Sequence, residues 1–475
     1  MIRDSLRTLG RTPGHFRRNQ AAAVRRRGSL AGGSFAGGWF ALITLAVAVG
    51  CSRLPDSTYT LRSDADKLEI PEKHARQVAA YLAMFHGTPA NPRMAEPDEA
   101  AVEEATEAFE AAVEAREDAE EEEPDAADEK EPAAGDSPGP SAGGTGMPGV
   151  YPIAGEDRTG YDRLTLQLGR QVYTAQCAGC HGTTGDGKGP AGAHLNPPPR
   201  DYRNGVFKFT STPRGSKPRR EDLRRILKYG AKGTSMPAFR FLPEHEREAV
   251  IDYVQMLSSR GELELALLRE AETELFEEDD FDPEVVAEYV DDIADSWQRA
   301  DGELIRPITV NPPATEETIQ SGAVAFAEFA CIKCHGPDAR GSKSADVGQD
   351  IWGRTAYPAN LALGMLHGGR RPIDIYRRIY SGINGTPMPS SKDPNTAIGE
   401  TPEERSDKIW HLVHFVTAVI EGSRVPPDCQ EAIYDVLQEQ SQPAEPAVDE
   451  AAEERKAAAV GGGDAPRLAA AEASR

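Results

Sequence analysis

The sequence predicts an all-α chain built from two tandem units, on three observations. The first is a pentapeptide pattern, Cys-x-x-Cys-His, that occurs twice, at 177–181 and at 331–335. The second is a gapless 16-residue repeat, 222–237 against 374–389, in which seven positions are identical. The third is the helical spacing of apolar residues in a segment that follows each copy of the repeat. The matched order of these features indicates an internal duplication.

Each Cys-x-x-Cys-His copy is an attachment sequence for a c-type haem. Two thiols one helical turn apart can each reach a vinyl group of the same porphyrin, and the adjacent imidazole is then held against the iron. A zinc or thioredoxin-like site is the alternative for one Cys-x-x-Cys, but a His after both copies favours haem. We therefore predict two covalently bound haem c groups. Their attachment and proximal-ligand residues are Cys177, Cys180 and His181, and Cys331, Cys334 and His335.

The gapless repeat ends each time in Met-Pro on a glycine-rich segment. A thioether is a soft ligand suited to haem iron, and His/Met ligation raises the reduction potential. A lone Met is more often core filler, but the same Met-Pro at the same place in both repeats favours axial ligation. The predicted iron ligands are therefore His181, Met236, His335 and Met388.

With these residues in view, both units resemble class I cytochrome c domains. The resemblance implies small all-helical domains, with the haem motif at the end of the first helix and the distal Met on a loop before the last. Gly169 and Tyr173 match the family's helix-packing positions in the first unit. Gly322 and Phe326 match them in the second unit, one residue further from the motif, so we expect a bulged turn there.

The resemblance also implies an acceptor for the proximal imidazole. Gly189-Pro190 resembles the family's Gly-Pro, whose carbonyl accepts a hydrogen bond from that imidazole. The second unit has only Gly336-Pro337, directly after His335 and too close to the ligand for this role. Two further turns, beginning at Pro199 and at Pro358, look like a matched pair beneath the haem.

The first 50 residues are typical of a lipoprotein-type signal peptide. They carry eight Arg and one Asp, and an apolar run of about a dozen residues then ends at Cys51. That run is too short for a transmembrane helix, which needs about 20 residues. Residues 48–51 resemble a bacterial lipobox, so we expect lipidation at Cys51 and a location on the periplasmic side of a bacterial membrane. Ordinary secretion, giving a soluble periplasmic protein, is the alternative.

Composition sets the remaining boundaries. The chain has a net charge of −24, and 18 Asp and Glu residues fall within 96–131, which has few apolar residues to offset the entropy of ordering. The predicted segments are the signal peptide (1–50), an N-terminal segment with a possible docking helix (51–95), an acidic disordered linker (96–158), cytochrome c domain 1 (159–262), a helical acidic connector (263–313), cytochrome c domain 2 (314–425) and a largely disordered tail (426–475).

Several residues outside the motifs are ambiguous. Residues 200–232 carry eleven Lys and Arg against three acidic residues. They form either a solvated face or a docking surface, for an acidic redox partner or for the chain's own linker. His411 and His414 lie about one turn apart, but two His without carboxylates are a weak metal signal. Met256 and Met365 are expected in the core.

The function expected from these features is that of a membrane-tethered dihaem electron carrier, similar to cytochrome subunits of respiratory complexes. Its expected partners are redox proteins of a respiratory chain, namely a quinol-oxidising complex, a terminal oxidase or a small cytochrome, and not nucleic acid. The alternative is a dihaem peroxidase-like enzyme with one open haem site. Two equivalent Met-Pro segments argue against that enzyme, because both irons would be six-coordinate.

Overall fold

The fold is described from a computed structural model of the chain. The residues that it describes are 61–62, 70–95, 103, 106–107, 111, 161–272, 281–341, 347–392 and 398–441. The predicted signal peptide, Cys51, nearly all of the acidic linker and residues 442–475 lie outside them. Within the described residues the fold is all-α, as predicted, with isolated β-bridges but no β-strand.

The helices follow one another in the order expected for a duplicated chain. None of them, in the part of the chain described, is long and apolar enough to cross a membrane. The α-helices with defined ends are α1 (Glu72–His86), α2 (Arg163–Gln176), α3 (Ala178–His181), α4 (Arg220–Tyr229), α5 (Glu244–Ala271), α6 (Pro283–Arg299), α7 (Glu316–Glu328), α8 (Cys331–His335), α9 (Pro372–Ser381), α10 (Pro402–Gly422) and α11 (Pro427–Ser441).

The first module, residues 161–262, is organised by the crossing of α2 and α5. Gly169 allows the two helices to approach closely, because a Cβ there would lie 2.1 Å from the carbonyl oxygen of Ala249. One turn later Tyr173 packs against Tyr253, with ring centroids 5.3 Å apart. This crossing fixes the helix that leads into the haem motif against the last helix of the module.

The second module, residues 314–422, repeats the crossing with α7 and α10. A Cβ at Gly322 would lie 2.1 Å from the carbonyl oxygen of His411, and Phe326 packs against Phe415 at 5.1 Å. The extra residue before the haem motif is accommodated at Ala330, whose φ of 57° lies in the left-handed region. The expected bulged turn is therefore one residue in a conformation that costs about 1 kcal/mol.

A short helix leads into each Met-Pro loop, α4 in the first module and α9 in the second. Asp222 and Asp374, identical in the repeat, begin these helices in the same way. The carboxylate of Asp222 accepts from the backbone N–H of Arg219 at 3.2 Å, and that of Asp374 accepts from Arg371 at 3.3 Å. The similarity of the two repeats in sequence therefore extends to the bonds that start each helix.

The N-terminal segment supplies helix α1, which packs on the C-terminal half of α5. Leu82 and Phe85 share a buried cluster with Leu263 and Leu267 of α5, and α6 closes the cluster with Val286. Because these later turns of α5 have partners, the helix continues through the boundary predicted at 262 and ends nine residues beyond it.

The tail begins with a helix that the sequence analysis did not predict. Helix α11 packs on α7 and buries Cys429 and Ile433 in the core of the second module. Proline at its first position and a short apolar stripe are the signals that were available. The Ala, Glu and Pro content of the residues that follow favoured a disordered tail instead.

We expect that neither helix crossing can accommodate a Cβ at its glycine without a shift of the backbone. Gly169→Ala and Gly322→Ala should each lower the free energy of unfolding by about 1–3 kcal/mol, because a backbone carbonyl must move. Gly422→Ala is the matched control, since nothing lies within 4 Å of its Cβ position. Guanidinium unfolding followed by helical circular dichroism measures all three, and equal stability of the three variants would contradict the proposed role of the crossings.

Candidate haem sites

The first Cys-x-x-Cys-His motif forms a single helical turn, α3, directly after α2. The backbone N–H of His181 donates to the carbonyl oxygen of Cys177 at 2.9 Å, which closes the turn. Gly182 ends it with a φ of 76°, a conformation that favours glycine. Both thiols are free and partly buried, and burial raises the pKa of Cys177 to about 12. The turn therefore presents two free sulfur atoms on neighbouring positions of one helix face.

The imidazole of His181 is oriented by a backbone carbonyl. Its Nδ1–H donates to the carbonyl oxygen of Arg200 at 3.1 Å, which leaves Nε2 as the atom for iron. Burial lowers the pKa of His181 and so favours the neutral ring that can act as a ligand. The acceptor predicted at Gly189-Pro190 is wrong. Gly189 packs against the haem motif instead, because a Cβ there would lie 2.4 Å from the carbonyl oxygen of Ala178.

Two tyrosines support the His181 side of the site. Tyr173 donates its hydroxyl hydrogen to the carbonyl oxygen of Gly182 at 2.8 Å, and Tyr202 donates to the hydroxyl of Tyr173. The ring of Tyr202 lies 5.4 Å from the His181 imidazole. A buried pair of phenols thus ties α2, the end of the haem motif and the turn after Pro199 together.

The second motif is built on the same plan. His335 donates from Nδ1 to the carbonyl oxygen of Ala359 at 3.1 Å, and burial lowers its pKa as well. Burial also raises the pKa of Cys331 to about 12. An apolar ring replaces the first module's phenols, since Phe326 lies 6.3 Å from the imidazole of His335.

The turns that supply the two acceptor carbonyls are equivalent. Gly187 and Gly341 each follow their His by six residues. A Cβ at Gly187 would lie 2.8 Å from the carbonyl oxygen of Pro199, and one at Gly341 would lie 2.6 Å from that of Pro358. The pair of turns matched in the sequence therefore occupies matching positions, one residue before each acceptor.

The Met-Pro loops share their internal hydrogen bonds. In the first loop the hydroxyl of Thr234 donates to the carbonyl oxygen of Ala231 at 2.7 Å and accepts from the N–H of Met236 at 3.1 Å. The second loop repeats these bonds, at 2.8 Å and 3.3 Å, among Ile383, Thr386 and Met388.

Shared hydrophobic clusters connect each haem motif to the segments beside its Met-Pro loop. In the first module Cys177 belongs to the same cluster as Leu227 and Leu242, which flank the loop in sequence. In the second module Cys331 shares a cluster with Ile375 and Tyr380 of α9. Each module therefore brings its predicted proximal and distal segments onto one core.

Comparison with known proteins identifies the first of these units. Residues 165–254 match the family model described as cytochrome C oxidase, cbb3-type, subunit III. The first module is a cytochrome c domain. Its cofactor is covalently bound haem c, and its chemistry is haem-based electron transfer with redox partners.

Two further comparisons used the curated proteins and the solved structures. A search of the curated proteins found no match. Among solved structures, one similar chain belongs to the reducing HAO-like protein complex of Kuenenia stuttgartiensis. It is 29% identical, with a TM-score of 0.38, and the match covers 54% of this chain and 96% of that one.

The residues of the cytochrome c domain fit haem c, and those of the second module fit it equally. Each offers two free thiols, an imidazole anchored through Nδ1 and a thioether on a loop with internal hydrogen bonds. Large apolar side chains also remain exposed beside the first loop and in the sequence between the second haem motif and its loop, which suits an apolar macrocycle. They are Tyr229, Phe241, Ile351, Tyr357, Leu363 and Met365.

The two modules contact each other along the segments that carry these donors. Arg214 of the cytochrome c domain donates to the carbonyl oxygens of Met388 and Thr386, at 2.6 Å and 2.8 Å. In the opposite direction His367 donates from Nδ1 to the carbonyl oxygen of Lys232, in the Met236 loop. Each Met-Pro loop is thus held by a side chain from the other module.

The basic segment 200–232 is largely used inside the protein. Its side chains pair with carboxylates of the cytochrome c domain itself or of the second module, and the docking surface considered from the sequence stays a prediction. The ion pairs are Arg203–Asp201, Lys208–Asp350, Lys217–Glu262, Arg220–Glu248, Arg220–Asp252, Arg224–Glu248 and Arg225–Asp374.

Asp374 is the most enclosed carboxylate of this interface, with 3% of its surface exposed. It pairs with Arg225 at 2.6 Å and with Arg371 at 2.8 Å. Burial alone would raise its pKa, but the two guanidinium groups outweigh burial and hold the pKa below its usual value. The carboxylate is therefore charged at neutral pH and joins α4 to the start of α9.

The remaining predicted candidates have structural roles. His414 is satisfied by Thr318 at 3.0 Å and Asn311 at 2.9 Å, and His411 by Ser321 at 2.9 Å. The described residues contain no group of three or more His, Cys, Asp or Glu that could hold a metal ion. Met256 is buried as expected, whereas Met365 is half exposed. Its methyl group faces Gly233 across the module interface.

Sequence reasoning did not predict which side chains connect the modules. Trp352, Arg214 and His367 have no counterpart in the 16-residue repeat, so the duplication gave no signal for them. The acceptor carbonyls of Arg200 and Ala359 were missed because any residue type can supply a backbone oxygen.

Replacing the interface carboxylate tests how firmly the modules are joined. Asp374→Asn should lower the free energy of unfolding by about 3 kcal/mol at neutral pH, because two guanidinium groups lose their counter-charge. The folded-state pKa is lowered, so the contribution is complete above the ordinary carboxyl pKa of about 3.9 and is lost as the pH falls through the folded-state value. The difference between wild type and variant should therefore shrink below about pH 4.

Denaturant unfolding at several pH values measures this difference. Glu72→Gln is the matched control, since it removes an exposed ion pair with Arg76 that contributes little. A difference for Asp374→Asn that does not change with pH would rule out the ion pairs as its cause.

Proposed function

We propose that the chain is a dihaem c-type cytochrome that transfers electrons through two His/Met-ligated sites. The observation that carries this proposal is the agreement between the modules. Both anchor an imidazole through Nδ1 to a backbone carbonyl, at 3.1 Å in each case. Both hold the candidate distal Met on a loop with the same Thr bonds. Since one module is a cytochrome c domain, the same donors in the same arrangement support a second haem.

In each site, different residues would attach haem c and bind its iron. Haem c, when bound, supplies a reversible one-electron couple at its iron. The thiols of Cys177 and Cys180 would attach the first group, and those of Cys331 and Cys334 would attach the second. The neutral imidazoles of His181 and His335 would bind iron through Nε2, whose basicity their Nδ1 hydrogen bonds increase. The thioethers of Met236 and Met388 would be the second protein ligands and would favour the ferrous state.

The hydrogen bonds of both Met-Pro loops favour electron transfer over peroxide chemistry. A peroxidase needs one site with an open or readily displaced sixth ligand. The two loops have equivalent hydrogen bonds around Met236 and Met388, and a side chain from the opposite module holds each of them. Nothing in these contacts singles out one loop for release.

The location and partners proposed for the chain rest on sequence and family. The basic and apolar first 50 residues and the lipobox-like Cys51 support export and lipid anchoring on the periplasmic side of a bacterial membrane. The acidic residues of 96–158 would then act as a tether. The match to a cbb3-type oxidase subunit family supports redox partners from a respiratory chain, such as a quinol-oxidising complex, a terminal oxidase or a small cytochrome.

Haem counting tests the proposal. Replacing Cys177 and Cys180 by Ser should remove one covalent haem from the mature chain, and replacing Cys331 and Cys334 by Ser should remove the other. Cys429→Ser is the matched control, because that thiol is buried in α11 and belongs to neither motif. Intact mass and haem absorbance after expression with a c-type maturation system give the count. A wild-type chain with a single haem would end the dihaem proposal.

Ligand exchange tests the distal assignments. Met236→His and Met388→His should each keep their haem covalently bound but lower its reduction potential by on the order of 0.1 V. Such a change is a fraction of the roughly 0.8 V that axial ligation spans. Met256→Leu, in the core of the cytochrome c domain, should leave both potentials unchanged. Potentiometric titration decides, and an unchanged potential in one of the His variants would remove that Met from the ligands.

A further inference from the structure

Trp352 lies between the proximal side of one candidate haem site and the distal side of the other. It belongs to the second module, but its indole N–H donates to the carbonyl oxygen of Asp201 in the cytochrome c domain at 2.9 Å. The guanidinium carbon of Arg200 lies 3.9 Å from the centre of its ring. The far edge of the ring packs on Gly385, where a Cβ would lie 2.8 Å from Cη2 of the indole.

Both contact regions are connected directly to predicted axial ligands. Arg200 provides the carbonyl oxygen that accepts the Nδ1–H of His181, at 3.1 Å. Gly385 belongs to the loop that ends at Met388, and its own carbonyl oxygen accepts from the N–H of Ile351, next to Trp352, at 3.0 Å. A single aromatic side chain therefore spans from the His181 anchor to the Met388 loop.

The surrounding turn holds the indole in this position. The carboxylate of Asp350 accepts from the backbone N–H groups of Trp352 and Arg354, each at 3.1 Å. Its other oxygen pairs with Lys208 of the cytochrome c domain at 3.0 Å. Because Asp350 is 9% exposed, the turn is fixed by a nearly buried carboxylate that is shared between the modules.

We propose that Trp352 is the positioning residue for electron transfer between the two haem sites. This inference rests on the proposed dihaem function. Trp352 fixes the spacing between the turn at Arg200 and the loop at Met388 and fills that space with a packed aromatic ring. One electron is lost at one iron and one is gained at the other, so the exchange is balanced, and Trp352 is neither oxidised nor reduced.

The other interface contacts make this role separable from module docking. Arg225 with Asp374, His367 with Lys232, and Arg214 with the Met388 loop join the modules without Trp352. Changing the indole should therefore leave the modules joined and both haems attached, while it loosens the one contact that spans the two sites.

The experiment uses the full-length holoprotein with Met236→His in every variant, so that the first site has the lower potential and a distinct spectrum. After flash photoreduction by a ruthenium complex, the electron redistributes toward the second site, and the relaxation rate is recorded. Trp352→Leu removes the ring and the N–H, Trp352→Phe keeps a ring, and Trp297→Phe is the control. Trp297 is a buried tryptophan of α6 that donates to Glu262 at 3.2 Å and packs on Phe207, and it has none of the contacts described for Trp352.

We expect Trp352→Leu to slow the redistribution on the order of tenfold, which is less than the roughly hundredfold that misplacing reacting groups by an ångström can cost. Trp352→Phe should be intermediate, Trp297→Phe should match the parent, and both potentials should stay unchanged. A rate in Trp352→Leu equal to that of the control overturns the inference. If that variant does not retain two haems, Trp352→Phe decides by the same criterion. A parent chain with one haem would instead refute the proposed dihaem function, so the two failures are distinguishable.

Discussion

The hydrogen bond from each imidazole Nδ1 to a backbone carbonyl is the interaction on which both sites depend. It fixes the tautomer, because only a ring protonated at Nδ1 can donate there, and it therefore frees Nε2 for iron. It also requires a turn to lie beneath the ring, and the glycines that follow each His by six residues make room for that turn. The close helix crossings at Gly169 and Gly322 then place the haem motif against the helix that closes each module.

Basic residues are concentrated in one segment of an otherwise acidic chain. The protein is acidic, with a net charge of −24, yet several of the contacts between its modules use Arg and Lys from one basic segment. Lys208, Arg214 and Arg225 bind carboxylates and carbonyl oxygens of the neighbouring module, whereas most other ion pairs of the segment lie within the cytochrome c domain. Ion pairs that are only partly exposed lose less of their strength to salt than surface pairs do. The junction between the modules is accordingly a fixed part of the fold.

Features that recur in both repeats or follow a helical period could be predicted from the sequence. Features that depend on backbone atoms or on single contacts could not. Helical class, the equivalence of the Met-Pro loops and the bulge at Ala330 all had a pattern that could be matched between repeats. The acceptor at Arg200 had none, because a carbonyl oxygen is independent of residue type, and the family resemblance pointed to Gly189-Pro190 instead. The longer α5 and the helix α11 were missed for another reason, since each is stabilised by residues distant in sequence.

The polar contacts at the module interface restrict how far the two modules can shift relative to each other. An apolar interface tolerates small sliding motions, since dispersion contacts have little directionality. A guanidinium that donates to two carbonyl oxygens of one loop, as Arg214 does at Met388 and Thr386, loses its bonds when the loop shifts by an ångström. The buried carboxylates Asp350 and Asp374 impose the same restriction, because an unpaired buried charge is costly. Polar contacts of this kind hold the segments that carry both sets of candidate iron ligands in one relative position.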